Sequence, residues 1–288
     1  MSVAQDTPEA KSGPPPRTEA AARRPLRPLA LFAVRGKLSP RADFVIGLAG
    51  IATLLVVWLV LTHGGYVRSL FLPKPSDIWE GLGAFHERGW LLPAIGRSTW
   101  RVLRSLFLVI LVGVPIGVMM GALAPVDAFL RKIINGGKSI PTTGIVGLIV
   151  LWFSIEERAK IVFLFLGAIF YMIILVKNAV AGVNEEYLRV ATDIGATRVQ
   201  TIWRVLLPGA LPQIWDAIAV CSGIMWTYIV LAEFINSNEE QLGVGFLLQL
   251  GSRANDSGKV FGMLVLIALI SSLTDWLLQS VRKRFLNW

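Results

Sequence analysis

From Phe44 to Thr62 the chain reads "FVIGLAGIATLLVVWLVLT", nineteen residues without a charge. A helix rises about 1.5 Å per residue, so such a run matches the roughly 30 Å hydrocarbon core of a bilayer. Water cannot satisfy backbone amides at that depth, which leaves the helix and the closed barrel as spanning structures. Barrel strands would show short alternating segments, and the sequence has none. The composition agrees. Of 288 residues 54% are apolar and 16% charged, with a mean hydropathy of +0.62, too apolar for an ordinary water-soluble domain. The fold class expected is all-α integral membrane. The run exceeds the apolar core of a secretory signal and no A-x-A site follows, so it reads as a retained first span.

Six spans are expected, at about 44–62, 105–123, 140–153, 161–176, 214–235 and 260–278. Residues 1–43, with "GPPPRTEAAARRPLRP", are too poor in apolar side chains to build a core and read as a disordered basic tail. Residues 44–288 form the transmembrane domain. Of the 28 Lys and Arg residues, 18 fall in the tail, the second-to-third connection, the fourth-to-fifth connection and the C-terminus. That bias predicts both termini in the cytoplasm. The same rule accounts for the basic ends and the net charge of +9, so no nucleic-acid partner is expected. Residues 64–97 mix Pro, Gly, charge and Trp as an amphipathic segment at the far face does, with Ser76 as N-cap ahead of Asp77 and Glu80. Arg97, Arg101 and Arg104, at helical spacing before the second span, suit lipid headgroups or an anion at the far mouth.

The connection at about 184–212 is the longest well-charged interruption of the second half. Ala191, Ile194, Gly195, Val199 and Ile202 recur at helical spacing while Arg189, Asp193, Arg198 and Arg204 take other faces. Gly195 can close a short helix in the left-handed conformation. Thr197 and Gln200 then fit a capping box. Pro208 and Pro212 stop the second helix and open the fifth span. His63 and His86 are isolated, Cys221 has no companion at metal-ligand spacing, and no phosphate-cradling glycine loop occurs. No catalytic set, metal or nucleotide is expected on this chain.

Ala191, then Gly195 after three residues, then Val205-Leu206-Leu207-Pro208 after nine, resembles the "EAA" loop of the membrane subunits of bacterial ABC importers, in the nitrate, sulfonate, taurine and bicarbonate group. "LPKPSDIW" (Leu72–Trp79) is similar to that group's periplasmic Leu-Pro-x-Pro segment, "LWFSI" (Leu151–Ile155) to its Leu-Trp-Phe-Gly-Ile, and "LAEFI" (Leu231–Ile235) to its Ala-Glu motif. The resemblance runs from about residue 40 onward. It implies a type I ABC importer permease-like fold with a short cytoplasmic coupling helix, in the bacterial inner membrane. Coupling would rest on Arg189, Ala191, Asp193, Gly195, Ala196, Thr197 and Pro208, with Gly195 allowing close backbone approach. The implied partners are cytoplasmic ATPase subunits that hold ATP and Mg, a periplasmic substrate-binding protein, a second copy in a homodimer, and membrane lipids. This chain itself would be no enzyme and carry no cofactor. The implied cargo is a small anionic solute: nitrate, a sulfonate or taurine, bicarbonate or an aromatic acid.

Polar groups within spans are expensive and so are candidates for function. Thr142, Thr143, Asn178, Trp226, Tyr228 and Glu233 are the candidate pathway residues, with interhelical packing or helix capping as the structural alternatives, and Lys177 reads as snorkelling to the interface. The chain departs from the group's pattern in two places. Arg189-Val190-Ala191 stands where Glu-Ala-Ala is usual. Thr142, Gly147 and Ile174 stand where prolines are usual, while Pro141 and Asn178 match, which leaves these helices straighter or bent through Gly144 and Gly147. A secondary transporter would show inverted repeats, and none is found. A scaffold without an ATPase would lack a docking loop.

Overall fold

The computed structural model describes residues 38–154, 156–235 and 241–285; most of the expected tail lies outside them. The described residues fall into two compact units divided between Trp58 and Leu59. The first contributes most of α1 (Pro40–His63), a 24-residue helix of mean hydropathy 2.7. It starts ahead of the charge-free run because Pro40 suits a first helical turn and the Ser39 hydroxyl accepts the Ala42 N–H at 3.2 Å.

The second unit holds α2 (Pro75–Glu87), α3 (Leu91–Ala122), α4 (Ala124–Ser139), a 3-10 turn (Thr142–Ile145) leading into α5 (Val146–Phe153), α6 (Glu157–Ala181), α7 (Glu185–Asp193), α8 (Arg198–Thr201), a π turn (Ile202–Leu206), α9 (Leu207–Phe234), α10 (Val244–Arg253) and α11 (Ser257–Phe285). Among the described residues five helical runs are long and apolar enough to cross a membrane: α1, α3, α6, Arg198–Phe234 and α11. A sixth crossing requires α4 and residues 142–153 together, bent by 83°.

The core lies where α3, α6 and α9 pack side by side. Gly113, Gly117 and Gly121 recur every fourth residue on α3, and this stripe sets the helix spacing. A methyl on Gly113 would come within 2.8 Å of Met172 Cγ, on Gly117 within 2.7 Å of Val176 Cβ, and on Gly121 within 2.7 Å of Val180 Cβ. Small residues let backbones approach in a membrane, where dispersion replaces the hydrophobic effect as the cohesive force. Ala210, Ile214, Ala217, Cys221 and Met225 of α9 are buried in the same core, and α9 packs on both α6 and α3. At the edge of the bundle, the Trp215 indole N–H donates to the Leu278 carbonyl at 2.7 Å and joins α9 to α11.

Several expected boundaries move for identifiable reasons. The span expected at 105–123 is only the apolar half of α3; Arg97, Arg101 and Arg104 lie within its first turns instead of preceding it. Ser76 does not cap α2. Pro75 takes the first helical position, and the Asp77 carboxylate reaches back to the Lys74 N–H at 3.0 Å. The third span bends at the retained Pro141, with Ile140 held extended as a residue before proline must be, and Gly147 lies inside regular helix. α6, with Ile174 in place of a proline, runs unbroken. Pro208 and Pro212 do not stop a helix either. The π turn before Pro208 lets the Leu207 N–H bond to the Ile202 carbonyl, relieving the clash a proline ring makes in a tighter ladder, so Arg198–Phe234 is continuous over 37 residues.

Candidate functional site

Two features stand at opposite ends of the α3–α6–α9 bundle. α6 ends at Ala181 and leads into α7 and α8, and α9 returns from them. The start of α6 and the end of α9 therefore meet at the other end.

At the first end, α7 is opened by Asn184, whose side-chain carbonyl accepts the Glu186 N–H at 3.0 Å. It is closed by Gly195, at φ +77°, a conformation that costs a residue with a Cβ about 1–2 kcal/mol. The expected capping box is present: the Thr197 N–H donates to Gln200 Oε1 at 2.9 Å, and the Gln200 N–H to Thr197 Oγ1 at 3.4 Å. The result is helix, tight turn, helix. The apolar stripe divides, however. Ala191 is buried and Leu206 joins the core, with Leu188 and Ile202 packed on it, whereas Ile194 is 78% exposed and Tyr187, Val190, Val199 and Trp203 are exposed with it. Around Gly195 the position a Cβ would occupy is open space. Arg189 pairs with Glu185 of its own helix at 3.5 Å, and Asp193, Thr197 and Pro208 are exposed, with Ala196 half-buried. Lys177 does not snorkel: its ammonium reaches Asp127 Oδ1 at 2.6 Å and ties α6 to α4, because Asp127, also paired with Arg131, lies within its reach.

At the second end the candidate Glu233 is fully buried. Its carboxylate accepts from Ser98 Oγ at 2.6 Å, from Arg101 Nη1 at 2.7 Å and from the Gly245 N–H at 2.7 Å. Arg101, 2% exposed, turns the rest of its fork to Glu157, with Nε on Oε2 at 2.8 Å and Nη2 on Oε1. It also meets the carbonyls of Gln241 and Leu242 at 3.3 and 3.4 Å. Ser98 in turn accepts the Val244 N–H at 3.0 Å. One guanidinium thus joins α3, α6, α9 and the strand of chain that leads into α10. Lys160, one turn along α6 from Glu157, is fully buried too, and its ammonium has no hydrogen-bond partner among the described residues. Arg101 is buried instead of pairing with lipid headgroups; Arg104 lies over the Trp100 ring at 4.6 Å.

Of the remaining pathway candidates, Thr142 and Tyr228 come together. With Gly137, Gly167, Phe170 and Tyr171 they line a cavity of about 160 Å³ at the break between α4 and α5. Tyr228 also meets Phe163 edge to face, centroids 6.1 Å apart. Thr143 is exposed beside the cavity. Trp226 faces the core, 2% exposed, and its indole N–H has no acceptor among the described residues. Asn178 is exposed near the α7 end, far along α6 from Glu157. Glu157 and Lys160 lie outside the expected set, although an acid and a base three residues apart mark the place where an apolar span begins.

Crossing helices, with a two-helix elbow at one end, define a polytopic membrane protein. Residues 113–287 match the family described as "Binding-protein-dependent transport system inner membrane component", and the chain belongs to that family, whose members are non-catalytic membrane subunits of ABC importers. It is 30% identical over 259 residues to the taurine transport system permease protein TauC of Escherichia coli K12, covering 88% of this chain and 92% of the relative. It is 28% identical to the putative aliphatic sulfonates transport permease protein SsuC of Bacillus subtilis 168, covering 86% and 89%. The bicarbonate transport system permease protein CmpB of Synechococcus elongatus is 24% identical, with 91% and 92% covered. Among solved structures the inward-facing MetNI methionine ABC transporter gives a TM-score of 0.61 at 21% identity, over 68% of this chain and 95% of that one. That likeness is one of fold.

Proposed function

We propose that the chain forms the translocation pathway of an ATP-driven importer for a small solute bearing an oxyanion group. It works as a homodimer in the inner membrane with both termini cytoplasmic. Two ATPase subunits, which bind ATP and Mg and perform the hydrolysis, dock on the α7–α8 elbow. A periplasmic binding protein delivers cargo to the opposite end. The cargo class rests on the relatives named for taurine, aliphatic sulfonates and bicarbonate, whose common chemistry is a sulfonate or carbonate oxyanion; nitrate and aromatic acids share it.

The observation that carries the docking assignment is the elbow's shape. Its inner side chains are pinned to the bundle while Tyr187, Val190 and Ile194 present an exposed apolar face, with Val199 and Trp203 beyond the turn. α8 runs without a break into α9, so a push on Trp203 moves one rod whose far end carries Glu233. Closure of the ATPase pair is thereby converted into movement at the cargo end.

The test is Gly195→Trp in the full importer. The variant is expected to insert in the membrane yet lose co-purification of its ATPase, because the left-handed turn resists a side chain and the indole fills the approach. Normal recovery of the complex together with normal uptake would refute docking at this elbow.

A further inference from the structure

Within the buried cluster at the cargo end, one cation is saturated and the other is empty-handed. Arg101 spends its fork on Glu233, Glu157 and two carbonyls. Lys160 sits among the same charges, with Arg101, Glu157, Glu233 and Arg97 acting on it, but none of its three donors finds an acceptor among the described residues. A buried, unpaired ammonium is among the costliest groups a folded chain can hold. A membrane subunit that retains one at the end of a crossing helix needs an explanation in function.

The surroundings indicate what is absent. Glu157, whose side chain is 47% exposed, is the outermost member of the cluster, lying at the α6 terminus against Arg101. Lys160 is one turn deeper. Further along the same face of α6 come Gly167 and Tyr171, which line the cavity at the α4–α5 break. Lys160 and the hydroxyl-lined cavity farther along α6 supply hydrogen-bond donors from which an oxyanion accepts, and the Glu157 carboxylate, which repels an anion, stands outside them.

We propose that Lys160 is a cargo-binding residue: it takes the oxyanion of a small monovalent solute when Glu157 swings off Arg101, and Arg101 and Glu233 stay paired to hold α3 and α9 in place. In the closed arrangement Glu157 is held by Arg101 and leaves Lys160 without an acceptor. The ammonium hydrogen-bonds to the incoming oxyanion without covalent change. This rests on the anionic-cargo reading above. The competing role for Lys160 is a plain counter-charge, since with it the cluster of Arg101, Lys160, Glu157 and Glu233 is electrically neutral.

The experiment uses the full importer in proteoliposomes, supplied with its binding protein and labelled taurine, and compares Lys160→Met, Glu157→Gln and the double variant. Loss of a charged hydrogen bond to cargo predicts that Lys160→Met needs about ten- to a hundred-fold more loaded binding protein for half-maximal uptake. The double variant is again neutral, so it is expected to regain thermal stability but not uptake. Uptake by the double variant equal to that of Glu157→Gln alone would overturn the proposal and leave Lys160 a counter-charge. If the unsubstituted importer carries neither taurine nor another sulfonate, bicarbonate or nitrate, the cargo reading fails by itself. A second measurement then still decides on Lys160: acetylation by an impermeant sulfonated ester added at the cargo face with ATP present. Labelling that sulfate suppresses supports an anion site, whereas a Lys160 that stays unlabelled, or is labelled equally with and without sulfate, overturns it.

Discussion

Glu233 ties α9 to α3 and α10 through three buried hydrogen bonds, and its removal has a calculable cost. Glu233→Ala strips the acceptor from Ser98 Oγ, from Arg101 Nη1 and from the Gly245 N–H at once. Breaking a buried ion pair from one side costs about 3–5 kcal/mol. Orphaned neutral donors add about 1–3 kcal/mol each, though not additively, because Arg101 keeps Glu157 and water can enter the vacated volume. The expected loss is therefore at or above about 4 kcal/mol for Glu233→Ala. It is smaller for Glu233→Gln, whose amide oxygen still accepts but whose NH₂ faces donors. Denaturant unfolding of the detergent-purified permease, followed by tryptophan fluorescence, measures both. Glu80→Gln on the exposed face of α2 is the comparison, expected within about 0.5 kcal/mol of the parent. If Glu233→Ala unfolds together with Glu80→Gln, the network is not what holds α3, α9 and α10 together. If it unfolds normally yet abolishes uptake, Glu233 belongs to the pathway.

Two further substitutions test the bundle itself. Gly117→Ala puts a methyl 2.7 Å from Val176 Cβ and 2.9 Å from the Ile173 carbonyl, and is expected to cost about 1–3 kcal/mol by overpacking. Gly147→Ala, whose methyl meets nothing within 4 Å, should be neutral or gain up to about 1 kcal/mol in the same unfolding assay, through helix propensity. Ser154 ends α5 at φ 59°, ψ −169°, a region left almost entirely to glycine, so Ser154→Gly is expected to raise stability by about 1 kcal/mol. Unchanged or lowered thermal stability of that variant would show that the turn carries no strain.

What the sequence disclosed and what it hid divide along the range of the interactions. The elbow was legible because its determinants are neighbours: Thr197 and Gln200 are three residues apart, and a glycine after an amphipathic turn closes a helix whatever surrounds it. Length and charge-free composition likewise marked the crossing helices. The start of α3 was hidden because an apolar window excludes Arg97, Arg101 and Arg104, although a helix accepts arginine wherever a partner neutralises it. The partners of Arg101 lie 56 and 132 residues away along the chain, beyond any periodicity. The prolines misled for a similar reason: Pro208 alone signals a stop, and only the π turn ahead of it, a feature of backbone geometry, lets the helix pass. The spacing of Gly113, Gly117 and Gly121 is visible in the sequence, but which helix the stripe meets is set by the packing.

The break at Ile140–Pro141 bears on the membrane as well as on the chain. α4 has 16 residues and α5 has 8, about 24 Å and 12 Å of helix, so neither half crosses a hydrocarbon slab of about 30 Å by itself. Pro141 brings no amide, and the carbonyls that finish α4 project past the end of their ladder. Acyl chains offer such groups nothing to bond with, and irregular backbone at that depth persists only against protein or water. Ser139, Ile140 and Pro141 are exposed, so wherever this bend lies at hydrocarbon depth, protein or water must cover it in place of acyl chains.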